Sequence, residues 1–136
     1  MIIQSDQFGN IEYSEDIIIH FNSGIFGFEH LKDYIIIDDE ETQPFRWLQS
    51  VEEEEVCFPM LDPFLFFADY QSHLPKKLVE SVKSNTHHIL SITTLKNEHG
   101  NMTINLKGPV IIETNTNSGQ QIILNSEEVP TSYILN

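Results

Sequence analysis

A succession of short β-branched runs, each closed by a turn cluster, constrains this chain more than any other feature. Asp16-Ile17-Ile18-Ile19-His20-Phe21 stops at Asn22-Ser23-Gly24, and Tyr34-Ile35-Ile36-Ile37 runs into Asp38-Asp39-Glu40-Glu41. Side chains branched at Cβ suit strands, and Asn, Ser, Gly and Asp supply turns. Residues 45–51 and 56–61 read as further strands, the first with Phe45, Trp47 and Gln49 on one side. Pro59 has no N–H, so its strand is expected at a sheet edge, or Pro59 at a bulge or strand end. Residues 88–95 and 102–106 flank the turn-rich Lys96–Asn101 as a hairpin, with Met102, Ile104 and Leu106 pointing inward by alternation. Runs at 109–113, 120–124 and 133–135 complete the set, the first two separated by the polar stretch Thr114–Gly119. Only Lys76–Lys83 suits a helix, with Leu78 and Val82 four apart behind Pro75; Leu78, Glu80 and Val82 fit a strand equally. About eight short strands joined by turns predict an all-β, mainly antiparallel sandwich or small β-barrel. It is a single domain over residues 1–136 with at most one short helix.

Charge narrows the function. The chain carries 21 acids against seven bases, net −14, and residues 1–55 hold 14 of those acids against Lys32 and Arg46 alone. Nucleic-acid affinity rests on Lys and Arg neutralising phosphates, so direct RNA or DNA binding is disfavoured. The same field attracts basic proteins, although acidity also simply keeps proteins soluble. No apolar run approaches the roughly 20 residues of a membrane span. The N-terminus does not read as a secretory signal, and the single Cys57 has no partner for a disulfide, so a cytoplasmic protein is expected.

Enzymatic chemistry finds no support in the pattern. The six histidines show no metal-ligand spacing, and His87 and His88 face opposite sides of a strand, so no metal or cofactor is expected. Cys57 lies between Val56 and Phe58, where a thiol is inert. The runs Asp38–Glu41 and Glu52–Glu55 read as solvated loop charges, because catalytic carboxylates need neighbours that push their pKa values apart. Gly24-Ile25-Phe26-Gly27 precedes no Lys-Ser/Thr and no helix, so it is not a phosphate loop.

Four landmarks in order carry a resemblance. They are Phe21-x-x-Gly24-Ile25-Phe26-Gly27-Phe28-Glu29; then Phe45-x-Trp47-Leu48-Gln49-Ser50 with an acidic stretch and Phe58; then Asp62-Pro63 followed by Tyr70; and Thr103-Ile104-Asn105-Leu106-Lys107-Gly108-Pro109-Val110 followed by Gln121. Together they span roughly residues 16–124, and the chain resembles the FliW family of flagellar assembly factors. Phe26 stands where the family usually has proline. The resemblance implies a small antiparallel β-barrel that binds two proteins in the bacterial cytoplasm: flagellin, and CsrA, the regulator that represses flagellin translation. On this reading the chain antagonises CsrA once flagellin is exported, is monomeric when free, and is not an enzyme. Two other readings stand beside it: a barrel binding a small molecule, and a structural subunit of an assembly.

Candidate partner contacts in the first turn are Ile25, Phe26 and Phe28, since interfaces are enriched in aromatics; Phe26 is the residue expected to touch a partner, and Phe28 reads rather as a core residue. The acidic Glu52, Glu53, Glu54 and Glu55 join them through their charge. Gln49, Ser50 and Asn105, polar residues in apolar strands, are either contacts or hydrogen-bonded groups at bulges.

Overall fold

One strand organises the chain by changing partners along its length. In the computed structural model, which describes residues 1–135, β1 (Ile2–Ser5) and β2 (Gly9–Glu12) form a hairpin apart from the main sheet. The main sheet contains β3 (Ile19–Phe21), β4 (Asp33–Asp38), β5 (Arg46–Ser50), β6 (Cys57–Leu61), β7 (His87–Thr94), β8 (Met102–Ile104), β9 (Val110–Glu113), β10 (Ser118–Gln121) and β11 (Tyr133–Leu135). The longest, β7, pairs with β9 over its first half and with β8 at its end, while β6 pairs with it at Ser91 and Ile92. That exchange closes β3, β4, β5, β6, β7, β9 and β10 into a seven-stranded barrel, with β8 and β11 running off it as a flap. Every pairing is antiparallel except β3 with β10.

Alternation sorts the side chains into two cores. Phe21, Tyr34, Leu48, Met60, Leu90, Val110 and Ile112 fill the barrel. Leu61, Ile89, Ile104, Leu106 and Ile111 point outward into a second cluster. The segment 62–74, the helix α1 (Lys76–Lys83) and the C-terminal residues Leu124 and Val129 cover that cluster. Tyr70, fully buried there, donates its hydroxyl to the Leu106 carbonyl at 2.6 Å. On another side, the β1–β2 hairpin lies over β5, with Phe8 edge-on to Trp47 at 5.3 Å.

Several strand expectations are corrected. Residues 16–21 yield a strand only at Ile19–Phe21, because Glu15–Ile17 forms a 3-10 turn held by the Asn117 amide donating to the Asp16 carbonyl. Pro59 lies neither in an edge strand nor at a strand end. It sits within β6, opposite Trp47, and β7 joins β6 only from Met60 onward, so the missing N–H interrupts no ladder. The last two residues of the polar stretch before residue 120 already belong to a strand, since β10 begins at Ser118, while 114–117 form the turn. The ambiguous segment 76–83 is helical, with Leu78, Val79 and Val82 against the outer core.

Candidate functional site

The chain between Phe21 and Leu31 folds into stacked tight turns. Gly24 adopts φ +72°, and a Cβ there would come within 2.7 Å of the Glu29 Cα, so only glycine serves. Gly24 N–H donates to the Phe21 carbonyl, Phe28 N–H to Ile25, and Leu31 N–H to Phe28. Glu29 closes the tip by accepting from Gly27 N–H at 3.0 Å, and that bond holds its carboxyl below the usual carboxylate value. This packing separates the three apolar residues of the turn. Ile25 is only 2% exposed, and Phe28 packs edge-on against Phe58 at 5.0 Å, whereas Phe26 stands 51% exposed at the tip.

Phe26 is also latched from below. Its N–H donates to Gln121 Oε1 at 3.0 Å, and Gln121 Nε2 donates to the Gly108 carbonyl at 2.8 Å. Gly108 N–H in turn donates to Asn105 Oδ1 at 2.9 Å. Residues 105–109 loop out between the stretches of β8 and β9 that pair with β7, and the Asn105 side chain closes that bulge. A proline at position 26 would have no N–H to offer Gln121.

The acidic loop is built rather than merely solvated. Ser50 is fully buried and its Oγ accepts from Glu52 N–H and Glu53 N–H, which turns the chain out of β5. Glu52 Oε1 accepts from both Lys32 and Asp33 N–H at 2.8 Å, tying the loop to the end of the aromatic turn. Glu53 Oε1 lies 3.4 Å from His30 Nε2. Beneath them Gln49, also fully buried, accepts from Ser5 Oγ at 2.7 Å. Its amide donates to the carbonyls of Ser50, Glu54 and Val56. Asp6 N–H reaches the Glu54 carbonyl, so the tip of the N-terminal hairpin joins the same face. Burial, then the Glu52 and Glu53 carboxylates, push the Tyr34 phenol below this loop up to about 12.

The expected contact residues thus divide. Ile25 is corrected from a partner-facing to an interior position, and Gln49 and Ser50 take the hydrogen-bonded structural role, since buried side chains present no surface to a partner. Phe28 and Asn105 are half-buried and shape the turn and the bulge. Phe26 and Glu52 to Glu55 remain at the surface, with Glu52 anchored by one oxygen. Sequence reasoning missed Gln121, Glu29, His30 and Asp6 as members of this face. For Gln121 the available signal was a polar side chain heading an apolar run.

Among the described residues no group of three His, Cys, Asp or Glu side chains could hold a metal ion. No described helix is long and apolar enough to cross a membrane. Cys57, half-buried in β6, has its thiol pushed up to about 11 by burial. Its alkylation by iodoacetamide at pH 8 is expected to be on the order of 100-fold slower than in the urea-unfolded chain, because the thiolate is the nucleophile. Equal rates in the two states would contradict that placement.

Fold and face together define a small closed β-barrel that presents an acidic loop clasped to an aromatic turn. The sequence profile of the family described as "FliW protein" matches residues 2–135. The flagellar assembly factor FliW of Natranaerobius thermophilus is 40% identical over 139 residues, covering 99% of this chain and 92% of that protein. Its counterpart from Thermoanaerobacter pseudethanolicus is 37% identical over 132 residues, covering 94% and 88%. A crystal structure of the flagellar assembly factor FliW superposes with a TM-score of 0.84 at 29% identity, covering 100% of this chain and 97% of that one. The chain belongs to the FliW family of flagellar assembly factors. This is not a known family of enzymes.

Proposed function

We propose that this chain binds flagellin in the cytoplasm and, when flagellin is exported, binds CsrA and relieves its repression of flagellin translation. The observation that supports this most is the acidic face itself: an exposed aromatic, Phe26, at the tip of a turn whose far end the Glu52 carboxylate ties to the acidic loop. An RNA-binding regulator must carry basic surface, and an acidic partner of net −14 both attracts that surface and repels RNA from it. The chain acts as a monomer and touches no nucleic acid directly. Binding here is protein recognition, with no catalytic step.

Calorimetric titration against flagellin and CsrA from the same organism, at low and at physiological salt, tests the reading. Both are expected to bind, CsrA more weakly as salt rises; failure of both to bind removes the proposal. The charge of the loop is tested separately. Glu53→Gln, Glu54→Gln and Glu55→Gln together, with Glu52 kept for its structural bonds, are expected to slow association with CsrA roughly tenfold at low salt. The salt dependence should flatten with it. An unchanged on-rate would sink the electrostatic account of this loop.

A further inference from the structure

Away from the acidic face, a groove of about 560 Å³ runs between the segment 61–66 and the flap strands, lined by apolar side chains that include Phe45, Leu65 and Met102. Leu65 is 69% exposed and Ile134 is 47% exposed. The lining also takes in Tyr133, Ile134 and Leu135, all three residues of β11. Successive strand residues point to opposite faces, so a groove that touches three in a row meets the strand along its edge. Among the described residues β11 pairs with β8 alone, leaving its other edge free. Natural edge strands are usually blunted by lysine, proline or a bulge, and Tyr-Ile-Leu has none of these.

We propose that the free edge of β11, with the apolar groove beside it, docks an extended segment of another protein whose side chains alternate between apolar and basic. Only an extended backbone can use unpaired strand N–H and C=O groups; a helix satisfies its own and leaves the edge bare. The apolar side chains of one parity fill the groove. Basic side chains of the other parity answer acids that neighbour the lining residues in the chain: exposed Glu40 and Glu41 lie just before Pro44, which also lines the groove, and Asp62 and Asp69 flank Leu65. Arg46, beside Phe45, is already neutralised by Asp38 through two bonds of 2.8 and 3.1 Å. A second copy of this chain is disfavoured as the occupant, because it would bring another −14 against a chain of −14.

The probe is a fluorescein-labelled peptide of about eight residues that alternates lysine with valine or isoleucine, followed by anisotropy against the full chain. Leu65→Arg is expected to weaken binding at least roughly tenfold, whereas Glu53→Gln, on the acidic face, leaves it within about twofold. Leu65 is a surface side chain, so folding is not at stake. Two N-methylated peptides separate strand addition from general stickiness, each blocking the amides of one edge. One is expected to lose binding and the other to keep it. Equal behaviour of the two peptides, or unchanged binding by Leu65→Arg, overturns the proposal. So does a dimer in sedimentation that the peptide fails to dissociate, since a second copy would then hold the edge.

Discussion

Replacing Gly119 with alanine is expected to destabilise the fold by about 3 kcal/mol and to lower the melting temperature by roughly 10 °C. A Cβ on Gly119 would lie 2.4 Å from Phe21 Cζ, with two further ring carbons within 2.7 Å. The ring cannot retreat: Phe21 has no exposed surface and stands edge-on to Tyr34 at 5.2 Å inside the barrel. Nor can the backbone yield cheaply. Gly119 pairs with Phe21 on one side and Ile112 on the other. The seam between β3 and β10 rests on two residue pairs, Ser118 with His20 and Gly119 with Phe21. Gly100→Ala supplies the comparison, since φ +81° strains any side chain but nothing lies within 4 Å of the added carbon; about 1 kcal/mol is expected there. If steric conflict is the cause, adding Phe21→Leu should recover part of the Gly119→Ala loss in a double-mutant cycle. Strict additivity of the two changes would refute the clash.

Gly119 also illustrates what could be read in advance and what could not. Runs such as Tyr34–Ile37 and Met102–Ile104 announce strands locally, because β-branched and alternating residues act through their immediate neighbours. Ser118-Gly119 reads as loop because its reason is remote: the place of a side chain at 119 is taken by a phenyl ring 98 positions earlier in the chain. The same holds for the N-terminal hairpin. Ile2–Ser5 and Gly9–Glu12 are short, and what keeps them in place is Phe8 on Trp47 and Ser5 on Gln49, far along the sequence. Barrel closure depends on β7 changing partners around the bulge at 105–109, and only Asn105 in an apolar run hinted at it. In the site, the charge of Glu52 to Glu55 was legible as composition. Its fixed geometry was not, because Glu52 is held by the amides of Lys32 and Asp33, 20 and 19 residues away.

The second large effect is expected from Gln49→Ala, at about 3 kcal/mol of lost stability together with a loosened acidic loop. Gln49 has no exposed surface, and its side chain bonds three structural units at once. It accepts from Ser5 Oγ in the N-terminal hairpin, and its amide reaches the carbonyls of Ser50 at the end of β5 and of Glu54 and Val56 in the loop. Truncation leaves a cavity under the loop and removes that cross-link. The loss is smaller than for a wholly orphaned network, because Val56 still accepts from Ser50 N–H and Glu54 from Asp6 N–H. Gln49→Leu separates the two contributions: it refills much of the volume but none of the hydrogen bonds. Its stability by urea denaturation is expected to fall between those of the wild type and Gln49→Ala. Amide exchange at Glu53 to Val56 should accelerate in both variants, because the loop loses its support from below in each. If Gln49→Ala stays within about 0.5 kcal/mol of the wild type with unchanged exchange at those amides, the buried glutamine does not hold the loop, and the acidic face is rigid for another reason.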